Sequence, residues 1–363
     1  MGKYSNKKKP NLLVRILCAV LILVVLVAAG VFWFVWSKLD LISYDDGSGS
    51  AVSDVEDVQT PELLDNYTVD IGDVVISETI PTVPDQEVNS SKEVINFLLI
   101  GMDIRYGNAK YASRTDSMII VSFNPELKTV KLVSLERAVG VPILEGEHAG
   151  EYDLLNHIYL WGGPELLQKT VEHCFKVDID HYVLLDFKAV TSVVDVVGGI
   201  DVELSDAEAW YLGNHIDIYT STGKQQPLRT GVNHLDGGTA LAYARLREID
   251  SDWQRVERQR KVILAVVEAV KNSSLSELND MVNTVLPLIQ TNMTKLEIAE
   301  MMFHALDFLT SEFDQLTIPK QGTYGGIPIR NGEYGFGVDY EINNDILYRF
   351  LYEGVSSEEL LAE

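Results

Sequence analysis

Residues 235–261, LDGGTALAYARLREIDSDWQRVERQRK, gather Arg245, Arg247, Arg255, Arg258, Arg260 and Lys261 into one short segment of a chain whose formal charge is −25. Guanidinium groups present rigid forks of donors that match phosphate oxygens, so arginines at set intervals on regular elements suit a multiply charged phosphate. Residues 239–244 read as a short helix and residues 253–272 as a long one, with Ser251 or Asp252 as its N-cap. Arg245 and Arg247 are two apart, which in extended backbone sends both side chains to one face. Arg255 and Gln259 are four apart and share a helix face near its positive N-terminal end. Arg258, Arg260 and Lys261 are expected on a solvated face, balanced by Glu248, Asp250, Asp252 and Glu257.

Upstream, residues 94–100 (VINFLLI) form a short apolar run ended by Gly101, which suits a buried strand leading into a functional turn. Residues 117–123 and 129–135 are two further strand candidates separated by Asn124 and Pro125. A helix is expected at 164–175 after Gly162 and Gly163, a strand at 181–187, a helix at 188–197 stopped by Gly198 and Gly199, and a strand at 200–204. Downstream, residues 275–313 look helical, 313–318 and 324–338 read as shorter strands and turns, and 341–352 as a closing helix. Helices alternating with apolar strands predict an α/β fold whose sheet is covered on both faces.

The N-terminus differs from the rest. Lys3, Lys7, Lys8, Lys9 and Arg15 precede residues 16–36, ILCAVLILVVLVAAGVFWFVW, which carry no charge. About 20 apolar residues cross a bilayer core, and the run ends in Phe32, Trp33, Phe34 and Trp36 instead of a small-residue cleavage site. The expected layout is a cytoplasmic basic tail (1–15), a transmembrane helix (16–36), an acidic extracytoplasmic linker (37–92), one large exported domain (93–354) and a C-terminal tail (355–363). The protein is therefore expected in the cell membrane, single-pass, with its main domain outside. Cys18 lies in the span and Cys174 is the other cysteine, so the exported part has no internal disulfide and relies on its core. The acidic balance argues against nucleic acid as a partner.

Two constellations flank the first strands. Gly101, Asp103 and Arg105 follow one strand, and Arg114, Thr115 and Asp116 open the next, so Asp103 and Asp116 are candidates to hold a divalent cation beside a diphosphate, Mg²⁺ being the usual choice. Both also suit turn and cap positions, where Asp bonds its own backbone. Arg137 follows the strand at 129–135. The histidines form no HExxH or Cys/His zinc pattern, His157 reads as a structural hydrogen-bonding residue, and neither a G-x-S-x-G elbow nor a Walker loop is present.

Together these segments resemble the LytR-CpsA-Psr family of cell-envelope proteins. The resemblance covers roughly residues 94–354 and rests, in order, on FLLIGMD with Arg114-Thr115-Asp116-Ser117, residues 134–137, LNHIYLWGG (155–163), VVGGIDVEL (196–204) and HLDGGTALAYARLREIDSDWQRVERQ (234–259). It implies a mixed central β-sheet sandwiched between helices, with a polyprenyl chain in an apolar tunnel and its diphosphate at the mouth. The implied activity is transfer of a glycopolymer, such as wall teichoic acid or capsular polysaccharide, from a polyprenyl diphosphate carrier to a hydroxyl of peptidoglycan or another envelope acceptor. By position, Asp103 and Asp116 match the Mg²⁺ carboxylates, and Arg114, Arg137, Arg245, Arg247, Arg255 and Gln259 match the diphosphate contacts. Asp103, Arg245 and Arg247 are the residues expected to carry catalysis, Asp103 as proton acceptor. One departure stands out: where the family often has Pro-Arg-Asp, this chain has Glu136-Arg137-Ala138. The alternatives are a non-catalytic polyprenyl-diphosphate-binding carrier or envelope regulator, and a hydrolase of the same donor.

Overall fold

Along INFLLIGMD, alternate side chains face opposite ways, as a strand requires. Leu98, Ile100 and Met102 enter one apolar core, while Leu99 packs into another on the far side. The structure is a computed structural model that describes residues 37–39, 41–44, 74–77, 79–103, 114–215 and 227–363. The span expected at 16–36 lies outside the described residues, as do the side chains of Asp103 and Arg114.

Seven described strands form the central sheet: β1 (Ser43–Tyr44), β2 (Ile95–Asp103), β3 (Arg114–Asn124), β4 (Thr129–Leu135), β7 (His181–Asp186), β10 (Ile289–Thr291) and β11 (Glu312–Ile318), in the spatial order β1-β10-β7-β2-β3-β4-β11. The sheet is mixed. Its β2–β7, β4–β11 and β1–β10 pairs are parallel, and β2–β3, β3–β4 and β7–β10 antiparallel. Three two-stranded ribbons accompany it: β5 (Gly140–Pro142) with β6 (Tyr152–Leu154), β8 (Ile200–Leu204) with β9 (Gly231–Leu235), and β12 (Tyr324–Pro328) with β13 (Tyr334–Val338).

The helices are α1 (Ile158–Phe175), α2 (Phe187–Val196), α3 (Asp206–His215), α4 (Gly237–Arg245), α5 (Asp252–Lys271), α6 (Leu275–Val285), α7 (Lys295–Phe303), α8 (Ala305–Thr310), α9 (Tyr340–Tyr352) and α10 (Ser357–Ala362). Leu167, Val171 and Phe175 of α1 and Leu347 and Phe350 of α9 close one sheet face with Leu98, Ile100, Met118 and Ile120. Ile263 and Leu264 of α5, Met301 of α7 and Phe308 of α8 cover the other against Ile119, Phe123 and Leu132. Asp236 caps α4 through the Thr239 N–H at 2.8 Å. The Gly237 N–H donates to Asp195 at 2.7 Å, and a Cβ on Gly237 would fall 2.3 Å from the Thr191 carbonyl oxygen, so glycine is what lets α4 touch α2.

Several expectations change in detail. The helix expected from Pro164 begins at Ile158 and kinks at Gly162 and Gly163, the latter at φ 69°. The helical stretch expected at 275–313 is three helices interrupted by β10, because Pro287 and the pairing of Ile289–Thr291 with β7 end the first. α3 and β9 fell between the expected elements. Parts of the spacer join the fold: β1 pairs with β10, Ile76 bridges to Gly326, and Asn89 to Val177. The solvated face expected for Arg258 and Arg260 is overturned, since both are buried. Arg260 donates to Gln315, Ser134 and Thr317 at 2.7–3.0 Å. Arg258 donates to Glu208 at 2.7 Å and to the Leu246 carbonyl at 2.6 Å, and pairs with Asp250.

Arg258 thus ties α5 to α3 and to the turn after α4. Arg258→Ala leaves the buried Glu208 carboxylate without its cation and is expected to lower unfolding free energy by about 3–5 kcal/mol in denaturant titrations, whereas Lys261→Ala, on the exposed neighbouring position, is expected to stay within about 0.5 kcal/mol.

Candidate active site

The register of β2 against β3 slips between Gly101 and Met102: Gly101 faces Ser117, whereas Met102 faces Thr115. Asp116 is the extra residue. A bulge of this kind bends the strand and re-aims a side chain, and Asp116 lines a cavity of about 530 Å³ between the sheet and helices α2, α4 and α5. Deeper walls come from Leu99, Leu185, Val190, Leu241, Val262 and Ile263, and Arg245, Arg247, Arg255 and Gln259 line it with Asp116. The same space therefore offers apolar surface and guanidinium groups.

Each arginine reaches this place by a different route. Arg245 is the last residue of α4, with its guanidinium 4.4 Å from the Phe187 ring centroid. Leu246 leaves the helix in extended conformation and exposes Arg247. The pair expected from a two-residue spacing is thus a helix end and a turn, yet both residues line the cavity. Arg255 and Gln259, on the first turns of α5, both direct donors at the Asp116 carbonyl oxygen, at 3.5 and 3.3 Å. Asp103 and Arg114 are backbone partners at the ends of β2 and β3, beside Asp116.

Arg137, just beyond β4, has a side chain only 5% exposed and bridges two carboxylates, Asp116 at 3.0 Å and Asp252 at 2.7 Å. Asp252 also pairs with Arg255 at 3.3 Å. Burial acts to raise the Asp252 carboxyl, but Arg255 and Arg137 outweigh it and hold the group below its ordinary value. Asp252 was missed as a site residue because an acid at a helix N-terminus reads as a cap; its place three residues before Arg255 was the available signal. The position of the missing family acid, Ala138, is buried, and its carbonyl accepts from the Phe336 N–H at 2.8 Å. Arg137 is oriented instead by Asp116 and Asp252. His157, read as structural, bonds Asp153 at 2.9 Å.

Glu136 is the unexpected member. It is fully buried with neither carboxylate oxygen hydrogen-bonded, and the buried side chain of Asn156 and the Arg255 Nε also lack partners. Burial, followed by repulsion from Asp252, lifts the Glu136 carboxyl from the ordinary 4.5 to about 7 against the pull of Arg255 and Arg137. Folded protein then holds a proton that the unfolded chain has released, so stability falls as pH rises from 4.5 towards 7 and stays lowered above that. Glu136→Gln is expected to remove this dependence and to stabilise the protein at pH 8 by about 3 kcal/mol relative to wild type, with little change at pH 4.5. Denaturant titration of both proteins across that range measures the difference.

The LytR_cpsA_psr family model matches residues 68–349. The Bacillus mycoides protein named polyisoprenyl-teichoic acid–peptidoglycan teichoic acid transferase TagU is 31% identical over 236 residues, covering 64% of this chain and 71% of that protein. TagV of Bacillus subtilis, named as the same kind of transferase, is 29% identical over 255 residues, covering 69% and 62%. A solved structure of TagT bound to LI-WTA superposes with a TM-score of 0.57 at 26% identity, covering 78% of this chain and all of that one. The match extends from the docked end of the spacer through the sheet, the arginine-bearing helices and most of α9, and the chain belongs to the LytR-CpsA-Psr family.

Proposed function

We propose that this protein transfers a glycopolymer from a polyprenyl diphosphate carrier to a hydroxyl of peptidoglycan or another cell-envelope acceptor. One observation carries the reading: a single cavity joins apolar walls to Arg245, Arg247 and Arg255. An amphiphile with a hydrocarbon tail and a multiply charged anionic head is the ligand whose two halves match those walls. The relatives named as polyisoprenyl-teichoic acid–peptidoglycan teichoic acid transferases supply the reaction class.

The diphosphate is held by Arg137, Arg245, Arg247, Arg255 and Gln259, with Arg114 joining from the start of β3. The acceptor oxygen forms a bond to the phosphorus bearing the glycan, the bridging bond to the polyprenyl phosphate breaks, and the hydroxyl proton passes to Asp103. The arginines lower the barrier by sitting where charge builds on the leaving phosphate. Arg137 acts from a preset position because Asp116 and Asp252 already fix its guanidinium.

No group of three or more His, Cys, Asp or Glu side chains forms a metal cage among the described residues. The Asp116 carboxylate, 24% exposed at the cavity, is a hard oxygen donor suited to Mg²⁺, an ion that takes one or two carboxylates and completes its shell with phosphate oxygens and water. Asp116 and Asp103 are the residues that would hold it. When bound, the ion would neutralise diphosphate charge. Residues 16–36 would anchor the chain in the cell membrane with the domain outside.

Purified full-length protein is expected to move glycan from a polyprenyl-diphosphate donor to peptidoglycan strands in the presence of Mg²⁺ and to stop on chelation. Arg245→Ala and Arg247→Ala are each expected to lower the transfer rate about 10²–10³-fold. Unchanged transfer in both variants rejects the diphosphate site. Free glycan 1-phosphate in place of acceptor-linked glycan identifies a hydrolase.

A further inference from the structure

Three aromatic rings form a step between the first turn of α5 and the β12–β13 ribbon. Trp253 follows Asp252 in the first turn of α5, and its ring stacks on Tyr324 of β12 with centroids 5.6 Å apart and planes 25° apart. Tyr324 meets Phe336 of β13 edge-on at 4.8 Å. Phe336 is buried, whereas Trp253 and Tyr324 are half-exposed. The β12–β13 ribbon is tied to the segment carrying Arg137 by the Val139–Phe336 bridge, and Glu136 acts electrostatically on the Tyr324 hydroxyl.

Tyr324 also lines a second groove, of about 490 Å³. Hydroxyls of Ser77, Thr79, Thr82 and Thr323 and the carboxyls of Asp339 and Glu341 lie along it, and none of its lining residues is Lys or Arg. Its outer wall belongs to the spacer: the Ser77 N–H donates to the Gly326 carbonyl at 2.7 Å, and the Gly326 N–H to the Val75 carbonyl at 3.0 Å. A groove without cations repels an anionic polymer such as a teichoic acid. Aromatic faces carry negative charge density and attract the C–H faces of sugar rings, while short hydroxyl side chains exchange hydrogen bonds with sugar hydroxyls.

We propose that the Trp253–Tyr324 step and its groove bind the uncharged glycan strand of the acceptor, presenting a sugar hydroxyl to the diphosphate from the Arg137 side. This rests on the transferase reading for its role, but not for its chemistry. Donor lipid and acceptor glycan then occupy separate grooves, the first lined by Asp116 and Arg255 and the second by Tyr324, whose ring stacks on Trp253 next to Asp252. Trp253 is a binding residue, so its loss weakens acceptor affinity without touching the donor.

The test uses the full-length chain in detergent micelles. Calorimetric titration with chitohexaose, an uncharged β-linked N-acetylglucosamine oligomer, is expected to show saturable binding that Trp253→Ala weakens about tenfold or more and Trp253→Phe largely preserves. Thr79→Trp, which fills the groove from an exposed position, is expected to weaken it equally, so a folding defect at Trp253 does not decide the result. Affinity for farnesyl diphosphate stays unchanged in all three variants, and in transfer assays the KM for acceptor rises while that for donor does not. The proposal is overturned if chitohexaose binds wild type and both weakening variants alike, or fails to bind, or if poly(glycerol phosphate) competes for the groove. Transfer that proceeds without a chitohexaose response removes the groove and leaves the transferase. Variant-sensitive glycan binding without transfer from any polyprenyl donor does the reverse.

Discussion

The bridge made by Arg137 between Asp116 and Asp252 is the interaction on which the site depends. It joins three independent parts of the fold: the bulge in β3, the segment leaving β4 and the first turn of α5. A guanidinium with a 5% exposed side chain is stable there because two carboxylates meet it with short contacts. The same acids aim it, and Asp252 extends the chain of charges to Arg255, which with Gln259 closes back on the Asp116 backbone. Removal of either acid would take away one of the two carboxylates that hold Arg137.

This arrangement resolves a conflict in the composition. A chain with a charge of −25 has to bind an anion against its own field. In the proposed site it does so by placing Arg245, Arg247 and Arg255 in a cavity that also has hydrocarbon walls, beside Asp116, Glu248 and Gln259. Pairing with Asp116 and Asp252 keeps Arg137 and Arg255 ordered before any ligand arrives, so little of their reorganisation remains for a binding step. Glu136 is a further buried acid next to the cluster, and burial together with repulsion from Asp252 favours its neutral form up to about pH 7 against the pull of Arg255 and Arg137.

The two faces of the sheet divide the work. Close packing of α1 and α9 makes one face a continuous core, while α2, α4 and α5 on the other leave the cavity. Small residues set that spacing: Gly237 lets α4 lie against α2, and Gly101 sits opposite Ser117, where a Cβ would fall 3.0 Å from the serine Cβ. The spacer is part of the design as well, since Val75 and Ile76 present extended backbone to β12 and Ser77, Thr79 and Thr82 line the second groove. The sequence left residues 67–76 open to pairing as a strand within this acidic spacer, and Ile76 does bridge to Gly326.

Much of this was legible in the order of residues. Apolar runs such as VINFLLI and TVKLVSL gave strands, the Gly198–Gly199 pair marked a helix end, and the spacing of Arg245, Arg247, Arg255 and Gln259 pointed to a bound anion, because periodicity and donor geometry are local properties of a chain. The depth of Arg258 and Arg260 was not legible: a guanidinium on a helix is solvated or buried according to whether Glu208, Asp250, Gln315 and Thr317 come from elsewhere to meet it. The roles of Asp252 and Glu136 were hidden for the same reason. Sequence by itself determined most of the central strands, the main helices and an arginine spacing that suits phosphate. Only the tertiary structure decided which charges are partnered and which cavity they share, since pairing energy depends on burial and on neighbours brought from more than 100 positions away, as Arg137 and Asp252 are.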